Sequence, residues 1–310
     1  MSVPPTRDLT ASIIIPSYES HGTIAGSLQS LRKQILRDFE IIVIDSGPSN
    51  AVAEIAANFP EVYYHRATER LLPHEARNLG VSLARSDLLV FTDPDVVVAP
   101  DWLEKLIATH GVTNRPVSGA VASLQRDWLT IGIHLAKFDL WLPGGPARDV
   151  AIGPTVNFLC PRQLFEKAGR FNGREMIGDT LLSWELVRLG HPPRFCPDAI
   201  VYHDHRSTFP QLLGERFARG ADFARLRMST ADWDIGRTLV TLCASVLPLR
   251  LARLAARSIG CSAQAGCLRD GLRTLPVIAS GHAAWLAGEI SQYGRRLVAR
   301  KKERAFACAS

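Results

Sequence analysis

The strongest constraint on this chain is the alternation, through its first 110 residues, of short β-branched runs with stretches of helical periodicity. The runs "SIII" (12–15), "FEIIVID" (39–45), "VYYH" (62–65) and "LLVFT" (88–92) read as strands. Between them, residues 22–33 place Ile24, Leu28 and Leu31 on one helical face, and residues 51–58 follow an N-capping Ser-Asn pair. Residues 73–84 open with a proline and an acid in the first turn, as a helix start does. A further helix begins after Pro100, with Asp101 and Glu104 near its start, and is expected to stop at Gly111. Such alternation predicts an α/β fold, a mostly parallel Rossmann-like sheet between helices. It also sets a row of loops at the C-terminal strand ends, where open α/β sheets bind their ligands.

The fourth run ends in "DPDVVV", placing Asp93 and Asp95 one residue apart at a strand tip. Two carboxylates so spaced can hold a hard divalent cation, Mg²⁺ or Mn²⁺, with water and a phosphate-bearing substrate completing the shell. The plainer alternative is a pair of solvated turn residues, because D-x-D is common by chance. Pro94 removes a backbone donor and stiffens the turn between them.

Beyond residue 112 the pattern loosens. A strand is expected near 117–124, an irregular stretch around Trp128, Trp141 and "PGGP" (143–146), then "VNFLC" (156–160) and helices over 161–168 and 179–189. Charge divides the chain further along. Residues 236–310 hold 12 Lys and Arg against 3 Asp and Glu, and residues 1–235 hold 24 against 27. We therefore expect one domain over 1–231 and a basic, partly apolar helical region over 232–310.

The apolar runs at 238–249 and 275–288 are shorter than the roughly 20 residues a spanning helix needs, which suggests helices lying in a membrane interface or a shallow hairpin. Interleaved apolar runs of this kind also argue against a nucleic-acid arm. The segment 209–227 sets aromatic and aliphatic residues among arginines at helical spacing, as a link to a bilayer or as a charged helix covering the active site. Six cysteines without a CxxC pair suggest reduced thiols, and the polar start "MSVPPTRDLT" followed by a run broken at Pro16 suggests no secretory signal. A cytoplasmic protein at the inner face of the membrane is the resulting expectation.

Taken in order, "SIIIPSYES", "IIVIDSGPSN", "ARNLGVSLARSDLLVFTDPDVVVAPDWLEKL", "FLCPRQLFEKAGRFNG", "GDTLLSWELVRLG" and "PDAIVYHDHRST" resemble the inverting glycosyltransferases of family 2, which have the GT-A fold. The resemblance runs from about residue 11 to 225. It implies a donor pocket walled by Pro16, Ser17 and Tyr18, with Asp45 accepting a hydrogen bond from the nucleotide base. Arg77 and Asn78 would lie near the donor, Asp93 would face its ribose or the metal, and Asp95 and His203 would hold Mn²⁺ or Mg²⁺ against the diphosphate. Asp179 would be the general base, with Arg206 helping to neutralise phosphate.

Taken as strand residues, His203 and His205 are expected to point the same way. Trp184 reads as helix core, whereas Trp128 and Trp141 are candidate platforms for a sugar or lipid-linked acceptor. Two positions depart from the family pattern: Gly178 stands where an acid commonly precedes the base, and Glu185 where an arginine often follows. The implied activity is transfer from a nucleotide diphosphate sugar, UDP or dTDP, to a hydroxyl of a lipid-linked or polysaccharide acceptor. A non-catalytic nucleotide-sugar-binding or membrane scaffold protein is the alternative. A nucleotidyltransferase would need a glycine-rich basic loop after the first strand, which "PSYESHGTI" lacks.

Overall fold

Strand β1 (Ala11–Ser17) is buried along its whole length, in a computed structural model that describes residues 9–171, 177–231, 233–246 and 248–307, without the side chains of 300–307. A continuous apolar run such as Ile13–Ile15 has no solvent face, so it is stable only with helices over both sides. The same holds for β2 (Phe39–Asp45) and most of β4 (Leu88–Thr92), whereas β3 (Val62–Arg66) is only half covered. These strands alternate with α1 (Ile24–Arg32), α2 (Ala51–Ala56) and α3 (Pro73–Leu83), close to the expected spans. Next come β5 (Val96–Val98), α4 (Trp102–Thr113) and β6 (Val117–Ser123). Helix α4 runs through Gly111, the expected stop, and ends at Asn114, which takes the left-handed conformation of a helix terminator.

The chain divides into two compact units. The first comprises residues up to Leu124 together with Trp141–Asp204, and the second comprises Gln125–Leu140 and His205–Ser310. The packing boundary therefore falls at 204/205, where the charge pattern suggested 231/232. Composition changes where the surface changes, and α8 (Phe209–Thr230) is still mixed in charge although it packs among the C-terminal helices. The second unit also takes α5 (Trp128–Phe138), a helix within the stretch expected to be irregular, capped by the Asp127 side chain on the Thr130 amide at 3.0 Å.

The first unit is completed by β7 (Arg148–Asp149), β8 (Asn157–Pro161), α6 (Arg162–Lys167), α7 (Gly178–Arg188) and β9 (Arg194–His203). Its described strands form one sheet in the order β3-β2-β1-β4-β8-β6-β9-β5, with β7 beside β9. Strands β1 to β4 are parallel, while β8 runs antiparallel to both β4 and β6. Strand β1 has β2 on one side and β4 on the other, so the chain reverses its direction of travel there, which makes a crevice at the strand ends.

One buried side chain holds the middle of this sheet. Pairing of β6 with β9 jumps from Gly119↔Cys196 to Ala120↔Ile200, so residues 197–199 bulge out of the ladder. Asn157 fills the gap: its Nδ2 donates to the carbonyls of Ala120 and Ala199, both at 2.8 Å, and its Oδ1 accepts from Trp102 Nε1 at 2.8 Å. Gly119 is required beside it, because a Cβ there would lie 2.2 Å from Asn157 Nδ2. Asn157→Ala leaves two carbonyls and an indole N–H unsatisfied in the core. We expect a loss of about 2–4 kcal/mol in denaturant unfolding; a loss below about 1 kcal/mol would mean that other groups satisfy the bulge.

The second unit contains α5, α8, α9 (Ile235–Val246), α10 (Pro248–Gln264), α11 (Leu268–Arg273) and α12 (Leu275–Ala307). Val277, Ile278 and Leu286 are buried, so the apolar run 275–288 belongs to the core of this unit rather than to a membrane interface. The run 238–249 differs, with Leu239, Val240, Val246 and Leu249 exposed. No single described helix is long and apolar enough to cross a membrane, although α9 and α10, at 69° to each other, pass that test of length and composition together. No disulfide joins the described cysteines, and Cys308 lies outside the described residues.

Candidate active site

Sheet register sets the site. Ser17 pairs with Asp45 and Asp45 with Arg66, while Ile14 pairs with Phe91 two residues before Asp93. The ends of four parallel strands thus bring Ser17, Asp45, Arg66 and Asp93 to one edge. Asp45 is fully buried. Its Oδ1 accepts from Ser17 Oγ at 3.0 Å and from the Gly47 amide at 3.2 Å, and its Oδ2 accepts from Tyr64 Oη at 2.9 Å. A carboxylate offers about four acceptor positions. Three have described donors here, so one remains for an N–H of a ligand.

Burial, and then the bond to Asp45, raise the pKa of Tyr64, so this phenol stays a donor. Pro16 is buried and Tyr18 is exposed, with the Arg70 guanidinium 4.3 Å above its ring. Arg66 fastens the loop after β2 through the carbonyls of Gly47 at 2.8 Å and Ser49 at 2.7 Å.

Arg77 lies on α3 with only 4% of its side chain exposed, and it is ion-paired to Asp93 through Nη2. Its Nη1 lies 3.2 Å from His74 Nδ1, and His74 in turn stacks on Phe171 with ring centroids 4.8 Å apart. Arg77 is therefore committed to the first aspartate of the D-x-D. Asn78, next to it on α3, is engaged with the backbone of Phe171. Its Nδ2 donates to Phe171 O at 2.8 Å and its Oδ1 accepts from Phe171 N at 3.2 Å, so it fastens the chain after α6 to α3.

Asp95 leads directly into β5, and β5 pairs with the end of β9 so that Val96 faces His203. The Asp204 amide also donates to the Asp95 carbonyl at 2.7 Å. This pairing brings His203 Nε2 to 3.7 Å from Asp95 Oδ2 although the residues lie over a hundred positions apart in sequence. Cis ligands of an octahedral Mg²⁺ are about 3 Å apart, given metal–oxygen distances near 2.1 Å. The pair therefore fits a small divalent cation after a slight closure. Among the described residues no group of three or more His, Cys, Asp or Glu side chains could hold a metal. A cation at Asp95 and His203 would thus draw its other ligands from water and from a bound diphosphate, the usual habit of Mg²⁺.

Asp179 sits in the first turn of α7, next to the helix start rather than at the N-cap, which is Ile177. Its Oδ1 accepts from the Thr180 amide at 2.8 Å, and the helix dipole favours a carboxylate there. One turn on, Ser183 Oγ accepts from the Gly153 amide at 3.0 Å, which ties this face of α7 to the segment entering β8. That segment is bonded to β4 in turn, Thr92 Oγ1 donating to the Val156 carbonyl at 3.0 Å, and Thr92 immediately precedes Asp93.

Several expectations fall elsewhere. His203 and His205 do not share a strand face, because β9 ends at His203 and His205 is buried in the second unit, its Nε2 2.9 Å from His134 Nδ1. Arg206 is exposed. Trp184 is half-buried, and the core face of α7 is formed instead by Leu182, Ser183 and Leu186. Trp128 belongs to the second unit, where its Nε1 donates to the Arg273 carbonyl at 2.8 Å, whereas Trp141 in the first unit bonds the Ile152 carbonyl at 3.2 Å. Tyr64, Arg70 and His74 were missed by the sequence reading. Of these only Tyr64 left a signal, its position two residues from the end of the strand beside Asp45.

Comparison with known proteins agrees with this geometry. Residues 12–162 match the model described as glycosyl transferase family 2, which takes in the strand tips from Pro16 to Asp95 and stops short of Asp179 and His203. The pre-mycofactocin glycosyltransferase of Mycobacterium tuberculosis is 26% identical over an alignment covering 84% of this chain and 60% of that protein. The chain thus spans about three fifths of the length of that relative. The glycosyltransferase AglE of Haloferax volcanii is 24% identical over 67% of this chain and 71% of its own length.

Among solved structures, a mannosyltransferase of Pyrobaculum calidifontis in complex with GDP-Man and Mn²⁺ superposes with a TM-score of 0.53 at 18% identity, covering 87% of each chain. At that identity the likeness is one of fold. The chain has the GT-A fold followed by a C-terminal helical region, and its residues 12–162 match the model of glycosyl transferase family 2.

Proposed function

We propose that the chain is an inverting glycosyltransferase that moves a sugar from a nucleotide diphosphate sugar, UDP or dTDP, to a hydroxyl of a lipid-linked or polysaccharide acceptor. The observation that carries this reading is the meeting of Asp95 and His203 at the strand edge that also holds Asp45 and the Arg77–Asp93 pair. Mn²⁺ or Mg²⁺ bound there would stabilise the charge that gathers on a departing diphosphate. Asp45 would take a base N–H at its remaining acceptor position, beside Pro16, Ser17 and Tyr18. Arg77 would fix Asp93 towards the ribose.

Asp179 would accept the proton of the acceptor hydroxyl as that oxygen attacks the anomeric carbon from the side opposite the diphosphate. The bond to carbon forms as the carbon–phosphate oxygen bond breaks, and the configuration inverts. Relatives named as glycosyltransferases, including an O-antigen chain rhamnosyltransferase of Salmonella typhimurium, are consistent with a saccharide acceptor of this kind. The exposed leucine and valine side chains of α9 and α10, with Arg237 and Arg253 among them, would rest on the inner face of the cell membrane.

The test is a panel of UDP, dTDP and GDP sugars incubated with Mn²⁺ or Mg²⁺ and membrane lipid extracts, read by release of the nucleotide and by mass of the glycolipid. Metal-dependent transfer of one sugar with inversion is expected. Tight nucleotide binding without turnover over a broad acceptor panel would favour the scaffold reading instead, in which Gly178 marks a lost acid.

A further inference from the structure

Within the second unit, α8, α10 and α12 bring Arg216, Arg219, Arg257 and His282 close enough to influence one another's charge. Two acids lie among them, and both already have partners. Asp139 accepts from Arg257 Nε at 3.0 Å and from Ser258 Oγ at 2.6 Å, and Glu215 is paired with Lys137 at 2.5 Å. Neither Arg216 nor Arg219 has a carboxylate partner among the described residues.

Arg216 is the informative one. Its guanidinium lies 4.5 Å from the Trp285 ring centroid, its stem runs past Gly281, and its Nε is buried with no hydrogen-bond partner among the described residues. Burial first, then the neighbouring Arg219, lower its pKa to about 10. The tryptophan face attracts the cation but leaves the in-plane donors unused. A largely desolvated guanidinium whose Nε is left unsatisfied, beside two like charges, is an unfavourable arrangement unless an anion completes it.

His282 adds the second half of the pattern. Ser258 has one hydroxyl proton, which the Asp139 carboxylate takes, so Ser258 accepts from His282 Nε2 at 2.8 Å. Burial holds the imidazole neutral by lowering its pKa to about 4. Its Nδ1 is then a buried lone pair that no described donor reaches. His282 lies between Gly281 and Trp285, the two α12 residues along which Arg216 runs. A group suited to this place carries several anionic oxygens for the arginines and one proton for Nδ1. Hydrogen phosphate or a phosphomonoester has both; sulfate has no proton to offer near neutral pH.

We propose that Arg216, Arg219 and His282, backed by Arg257, form a binding site for a phosphate group, borne either by a soluble phosphate or by a lipid headgroup. The site stands independently of glycosyl transfer in the first unit. The test is calorimetric titration of the full chain with inorganic phosphate and with sulfate at matched ionic strength. Flotation with phosphatidylcholine vesicles, with and without phosphatidic acid, runs in parallel.

Phosphate is expected to bind more tightly than sulfate and to raise the unfolding temperature. Arg216→Met should weaken phosphate binding by roughly tenfold or more. It should not lower stability in phosphate-free buffer, because methionine keeps a stem on Trp285 without the uncompensated charge. Asp95→Ala should leave phosphate binding intact, which separates this site from the candidate active site. Retention on phosphatidic acid vesicles that is lost in Arg216→Met identifies a lipid source; binding of free phosphate alone identifies a soluble one. A wild-type chain that neither binds phosphate nor floats with phosphatidic acid overturns the proposal. So does an Arg216→Met chain that binds phosphate as wild type does, or one that is destabilised without any change in binding.

Discussion

Asp179→Asn is expected to lower sugar transfer by about 10²–10⁴-fold while leaving nucleotide affinity unchanged. An alcohol is a poor nucleophile until its proton is taken, and asparagine keeps the shape of aspartate without the ability to accept that proton. Structural damage should be small. Asp179 is in the first turn of α7, and the bonds it accepts from the Thr180 amide at 2.8 Å and the Thr180 hydroxyl at 3.4 Å can be accepted equally by an amide oxygen. A helix start favours a carboxylate over a neutral side chain at this position. Kinetics at saturating donor and acceptor check this result: kcat should fall, with the nucleotide dissociation constant constant within error. A variant that keeps more than about a tenth of the activity would remove Asp179 from the role of base.

Asp95→Ala should have an effect of comparable size by a different route. The described residues offer two ligands for a cation, and removing the acid leaves only His203. Loss of a Lewis acid that contributes several kcal/mol corresponds to about 10²-fold or more in rate. Unlike Asp179→Asn, it should also abolish the dependence of nucleotide binding on Mn²⁺. The two variants together therefore separate binding from chemistry: one keeps the metal response and loses turnover, the other loses both. Added Mn²⁺ should restore part of the activity in His203→Ala, where the anionic ligand remains, but not in Asp95→Ala.

Much of the first unit was legible because its strands are buried on both faces. Residues 39–45 form β2 with the expected bounds, and 73–84 differ from α3 by one residue, since continuous apolar runs, a proline at a helix start and an acid in the first turn are local signals. What escaped depends on register. Nothing near Asp93 in sequence announces that Arg77 pairs with it, and Tyr64 reaches Asp45 only because β2 and β3 align Asp45 with Arg66. The jump in the β6–β9 ladder, and the Asn157 that fills it, are likewise set by tertiary pairing.

Helix α5 was hidden differently. Its cap, Asp127, and its apolar spacing were present, but glycine and proline just beyond it made the region look like a loop. Charge composition marked a change near 232 and could not see that α8 already belongs with the C-terminal helices. For the site, residue types at strand ends were readable from the resemblance. The juxtaposition of Asp95 with His203 required β5, a strand of three residues whose partner lies in β9.

The proposed function depends on Asp95 and His203, which would hold a divalent cation against a nucleotide diphosphate. The most direct measurement is a crystal structure of the chain grown with Mn²⁺ and UDP, using anomalous scattering to locate the manganese. One strong peak is expected within about 2.3 Å of both Asp95 Oδ2 and His203 Nε2, with diphosphate oxygens and water in its remaining positions. UDP bound in the crevice with manganese elsewhere, or with no manganese at all, would contradict it.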